Sequence, residues 1–140
     1  MKDGLDIVQD ITSLINVPAV LAAIDGGIWP DVRPDNSNKT DLVVNALGAT
    51  NDYMQRGFGN INIYVPNVLH MIDSKPQSFP NHKELNNLVK IIKPLVESQD
   101  RETFSTELDE SPTLMKDRDG SWFINIRLKY RSVQVNYKNI

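Results

Sequence analysis

The sequence predicts an α+β domain, with a mainly antiparallel sheet of about 4–5 strands packed by one long helix at about 81–97 and by an N-terminal helix. Three stretches predict it. Ile61, Ile63 and Val65 alternate with Asn60, Asn62 and Tyr64, which puts aliphatic side chains on one face of a strand and polar or amphipathic ones on the other. Trp122, Ile124, Ile126, Leu128 and Tyr130 alternate in the same way with Phe123, Asn125, Arg127, Lys129 and Arg131. Between them, Leu85, Leu88, Val89, Ile92, Leu95 and Val96 recur at the spacing of a helix that buries one side.

The elements follow in order. Leu5, Val8, Ile11 or Thr12, and Ile15 fall at helical spacing, with Asp3 or Asp6 placed to favour the first turn, and Asn16-Val17-Pro18 ends that helix. The apolar run 19–24 has no assignable period, although Pro18 suits the first position of a second helical turn. Asp25-Gly26-Gly27 turns the chain into a short strand at Ile28-Trp29 that ends at Pro30. Residues 31–40, rich in Asp, Asn, Ser and Pro, form a loop, and 41–47 a second strand. The strand of 57–66 is the hairpin partner of 41–47, with Gly57 and Gly59 read as turn glycines and 74–80 as an irregular crossing. Asn81 caps the long helix, Glu84 completes a capping-box pattern, and Pro94 kinks the helix or ends it early. A strand-like run over 103–115, interrupted by Pro112, pairs with the last strand through the turn residues 116–120. Residues 1–140 therefore make a single domain, whose tail at 133–140 either continues the strand or is mobile.

Composition narrows the function classes. The 140 residues are 40% hydrophobic, enough for a real core, and contain no cysteine, which excludes a disulfide framework, a thiolate metal site and a cysteine nucleophile. The opening Met1-Lys2-Asp3-Gly4-Leu5-Asp6 lacks the charge order of a signal peptide, and no apolar run is long enough to span a membrane. A cytoplasmic protein with no membrane partner is expected. The net charge of -3 conceals an asymmetry, because residues 120–140 hold Arg127, Lys129, Arg131 and Lys138 and no acid. That basic end reads as a solvated edge strand, as a surface for an acidic neighbour, or as a nucleic-acid surface.

No motif carries catalytic chemistry. His70 and His82 lack a histidine at helical ligand spacing. Counting an EF-hand loop from Asp31 puts Asn36 and Leu42 where glycine and glutamate belong, so Asp31, Asp35 and Asp41 are read as turn-forming and solvating. Gly57 and Gly59 precede a strand, where a phosphate loop would lead into a helix. No catalytic, cofactor-binding or metal-ligating residue is assigned, no cofactor is expected, and the protein is expected not to be an enzyme.

One resemblance bears on function. The Gly26-Gly27-Ile28-Trp29-Pro30 turn-strand, the loop Arg33-Pro34-Asp35-Asn36-Ser37 leading into Asp41-Leu42-Val43-Val44, and the strand Asn60-Ile61-Asn62-Ile63-Tyr64-Val65-Pro66 resemble tail-completion (tail-terminator) proteins of long-tailed bacteriophages and prophages. The element order matches over most of the chain, the wording over about 30–66. The resemblance implies a structural protein of the head–tail junction that forms a ring, caps the tail tube and contacts tail-tube and head–tail connector proteins. DNA then meets it by passing through the ring, and the protein stays in the bacterial cytoplasm until it joins the virion. Arg127, Lys129 and Arg131 become the expected subunit-interface residues, opposite an acidic neighbour. The alternatives are a small-ligand-binding or enzymatic α+β domain, and an accessory nucleic-acid-binding protein.

Overall fold

The computed structural model describes residues 2–50 and 54–133. Helix α1 (Gly4–Ile15) starts with a reciprocal capping box, in which the Asp3 carboxylate accepts the Asp6 N–H and the Asp6 carboxylate accepts the Asp3 N–H. It buries Ile7, Val8, Ile11, Leu14 and Ile15, while Leu5, expected on the buried stripe, is 66% exposed. Helix α2 (Pro18–Ala23) has proline at its first position and buries Val20. Strand β1 (Ile28–Pro30) runs parallel to β2 (Asp41–Ala49), which pairs antiparallel with β3 (Met54–Tyr64). Strands β4 (Val68–Ile72) and β5 (Lys75–Phe79) form a separate hairpin, and α3 (His82–Val96) follows. Then come β6 (Ser98–Asp100), β7 (Phe104–Leu108), β8 (Thr113–Lys116) and β9 (Trp122–Val133).

The main sheet has seven strands in the order β1-β2-β3-β9-β7-β6, with β8 beside β7 along the same edge of β9. All three helices supply the buried core with the sheet's inner side chains: Leu42 and Val44 from β2, Ile61 and Ile63 from β3, and Ile126, Leu128 and Tyr130 from β9. Helix α1 lies over β2 and β3, and α3 over β9 and the β6–β7 edge. Because strand side chains alternate, everything between those positions points to the opposite face, which no helix of the described residues covers.

The expected fold class is corrected. Among the described residues the sheet is mixed and seven-stranded, not a mainly antiparallel sheet of about 4–5 strands, and no single long helix packs it. The cover is shared by helices of 12, 6 and 15 residues. β1 lies where a short strand is expected, but the single run expected over 103–115 is two strands, β7 and β8, and β6, with 3 residues, is too short to show a period of two. The crossing at 74–80 is not irregular, since its residues make β5 and the turn before it. Pro94 does not end α3, which runs on to Val96. Pro94 removes one backbone bond near the helix end, and the turn that continues past it buries Val96. The expected tail beyond residue 133 lies outside the described residues.

The two glycines of β3, expected as turn residues, are not in a turn. They lie inside the strand, where α1 comes close. A Cβ on Gly59 would sit 2.1 Å from Ile11 Cδ1, and one on Gly57 only 2.4 Å from the Gly48 carbonyl oxygen. Gly48 has φ +51° at an irregularity in the β2–β3 register. Glycine here is a packing requirement, not turn chemistry.

Candidate interaction surfaces

The uncovered face of the sheet carries three zones along β3 and β9. In the middle, the side-chain amides of four asparagines link three strands. Asn60 donates to Asn45 (2.9 Å), and Asn125 donates to Asn60 (3.1 Å) and Asn62 (2.8 Å). Their neighbours in register set the two ends apart.

The end at Tyr64 is acidic. A cleft of about 440 Å³ opens between the loop 31–37 and the β8–β9 turn, and its walls include Asp31, Arg33, Asp35, Tyr64, Asp117 and Asp119. Arg33 organises it. Its guanidinium lies 4.2 Å from the Tyr64 ring centroid, donates to Ser121 Oγ (3.1 Å), and comes within 3.9 Å of Asp119 and 4.0 Å of Asp41. Tyr64 in turn stacks on Phe123 and donates to Asp117. Burial, with the Asp117 carboxylate beside it, pushes the Tyr64 phenol up to about 12. Hydrogen bonds from the Ser121 N–H and hydroxyl hold Asp119 below the ordinary aspartate value.

Asp41 lies beneath this loop and is 1% exposed. Its carboxylate accepts from the Gly27 N–H (3.0 Å), Trp29 Nε1 (2.9 Å) and the Ser37 hydroxyl. Burial pushes its pKa up, but the Ser37, Trp29 and Gly27 hydrogen bonds and the Arg33 charge outweigh burial and hold it below the usual value of 3.8. Gly26 is needed because a Cβ there would sit 2.0 Å from Asp41 Oδ1. The Gly-Gly-Ile-Trp stretch and the loop are thus tied together by one buried carboxylate. Asp31 and Asp35, grouped with Asp41 in the sequence, are exposed on the loop above it.

The opposite end is basic, and here the three expected interface residues separate. All three project from the uncovered face of β9. Arg127 lies 4.5 Å from the Phe58 ring centroid and 3.2 Å from Asp109, although its Nε points off the hydrogen-bond direction. Lys129 lies 3.8 Å from Glu107 and 4.0 Å from Asp109. Both therefore have intramolecular carboxylates. Arg131 differs: it is exposed and sits directly opposite Arg56 of β3, also exposed. Among the described residues, neither is within ion-pairing distance of a carboxylate. Two like charges facing each other across a ladder destabilise a sheet, so an external anion would be favoured between them. Beside this pair lies an open cleft of about 480 Å³, walled by Leu47, Phe58 and the backbone of Gly48 and Gly57.

The third surface is the β4–β5 arm. Every residue from Leu69 to Ser78 is exposed, including Leu69 (71%), Met71 (68%) and Ile72 (40%). Leu69 and Met71 share one face, in register with Ser78 and Pro76. Asp73 and Ser74, at φ 50° and 64°, form the two-residue loop, the geometry that matches strand twist in a tight hairpin. At the base, Asn67 donates to Ser78 Oγ (2.9 Å) and to the Gly120 carbonyl (3.0 Å).

Sequence reasoning missed Arg56 and the arm. Arg56 becomes part of the basic zone only through the β3–β9 register. The arm did carry a signal, two five-residue runs separated by two residues, but Pro76 and the absence of a turn glycine hid it. No helix of the described residues is long and apolar enough to cross a membrane. No protein-family model matches the chain, and no curated protein matches it.

Proposed function

We propose that this chain is a structural protein of the tail-terminator or head–tail junction type, whose copies form a ring that caps a phage or prophage tail tube and joins it to the head. The observation that carries the reading is the β4–β5 arm. A lone two-stranded hairpin in water is marginal, and this one exposes three large apolar side chains, as expected of a segment that a neighbour covers. The chemistry of the acidic cleft fits a structural role as well. A general acid needs a raised pKa, whereas Asp119 in the cleft and the buried Asp41 beneath it are held low and serve as hydrogen-bond acceptors.

Self-association tests the reading. Light scattering over a concentration series should give a closed oligomer, and Leu69→Asp with Met71→Asp should shift it to monomer while circular dichroism stays unchanged. Wild-type protein that remains monomeric throughout, alone and with tail-tube protein, would sink the ring reading.

The Arg56–Arg131 pair favours a second reading, an accessory nucleic-acid surface. On that reading, DNA binding measured by fluorescence anisotropy should weaken at least tenfold between 50 and 200 mM salt, and Arg56→Glu with Arg131→Glu should abolish it. Absence of binding at low salt would remove this alternative.

A further inference from the structure

The arm and the apolar cleft lie at opposite ends of the same strand. The arm begins four residues after Tyr64, the last residue of β3, and the cleft surrounds Gly57 and Phe58 near its start. Tyr64 is six residue steps along the strand from Phe58, roughly 20 Å at strand rise. The arm's base is held at the Tyr64 end by the Asn67 bond to the β8–β9 turn. A projection at one end and a recess at the other make a heterologous contact, the kind that closes into a ring or extends into a filament.

Resting on the ring reading above, we propose that the Leu69–Met71 face of one copy's arm seats in the Leu47–Phe58 cleft of the next copy, with Asp73 at the arm tip placed between Arg56 and Arg131. Three observations favour this occupant. The cleft's surface is mostly apolar, with Leu47 itself 54% exposed and Arg56, Lys129 and Arg131 also lining it, and its size is ample for two side chains, of which methionine adapts readily to an irregular wall. The arm presents those two side chains on one face, while Lys75, the tip's cation, is in register with Ile72 on the other. The charges also match: the cleft rim carries an opposed arginine pair, and the arm tip carries a carboxylate. The contact would cover the most exposed apolar side chains of the arm and offset the Arg56–Arg131 repulsion together.

The absence of native cysteine makes the test clean. A chain carrying both Leu47→Cys and Met71→Cys, two exposed positions, should oxidise to a ladder of covalent multimers, whereas each single variant should stop at dimer or below. In parallel, Asp73→Arg should raise the concentration needed for assembly at least tenfold, and combining it with Arg56→Glu and Arg131→Glu should restore assembly. Oligomers in light scattering with no ladder and no charge-swap rescue overturn the docking while leaving the ring reading in place. A sample that is monomeric under all conditions overturns both. An internal disulfide within one chain, or cross-linking only to tail-tube protein, assigns the cleft another occupant and overturns the docking alone.

Discussion

Replacing Asp41 by alanine should lower the free energy of unfolding by about 3 kcal/mol at neutral pH, the upper range for hydrogen bonds to a charged group. The substitution strands the Gly27 N–H, the Trp29 indole N–H and the Ser37 hydroxyl, and removes a carboxylate 4.0 Å from Arg33. Urea denaturation followed by tryptophan fluorescence reads it directly, because Trp29 is one of the partners. Asp41→Asn keeps one acceptor oxygen and should cost less, about 1 kcal/mol. The acid dependence separates charge from shape. The folded-state pKa lies below the ordinary value of 3.8, so the carboxylate's contribution is complete above that value and is lost as pH falls through the lower, folded-state value. The gap between wild type and Asp41→Asn should be constant from pH 5 to 7 and close below about pH 4. An equal gap at pH 2.5 would show that ionisation of Asp41 contributes nothing.

Gly57→Ala should destabilise by about 1–3 kcal/mol or more, as an added methyl in a packed interior does. Its Cβ would meet the Gly48 carbonyl oxygen at 2.4 Å, and backbone held at a left-handed φ within a paired strand has little freedom to move. Gly59→Ala also clashes, at 2.1 Å, but with the terminal methyl of Ile11. Ile11→Val removes that methyl, so the pair Gly59→Ala with Ile11→Val should be more stable than the sum of the single effects predicts, by a coupling of roughly 1 kcal/mol. No such coupling is expected between Gly57→Ala and Ile11→Val. Gly4→Ala, with nothing within 4 Å of the added carbon, serves as the neutral or slightly stabilising control. Equal costs at Gly57 and Gly59, both unaffected by Ile11→Val, would contradict this account of how α1 packs.

The same contrast shows what could be read from the chain alone. Where a periodic pattern persists over many residues it specifies local structure, because one face must be buried. The alternation of 122–131 and the apolar stripe of 85–96 are such cases, and those residues lie in β9 and α3. The capping residues of α1 and α3 are local in the same sense, since each bond spans three residues. The turn residues ahead of Trp122 are local too, with Gly120 at φ +90°.

Tertiary structure decided the rest. Strands of three or four residues carry no period, so the seven-stranded mixed sheet, with β1 parallel to β2, exists only through long-range pairing. Gly59 is required by Ile11 of a helix far away in sequence, and Gly57 by the Gly48 carbonyl of the strand paired beside it, demands no local rule expresses. The basic zone was half legible. Arg127, Lys129 and Arg131 are visible as a charged strand, yet Asp109 and Glu107 engage the first two, and the register alone adds Arg56 to the third. Apolar residues 68–72 could equally have been core, and only the finished fold, whose inner face α1, α2 and α3 already fill, leaves them outside on an arm. Periodicity determined which segments bury a face, and the competition for one core determined which apolar segment had to find its cover elsewhere.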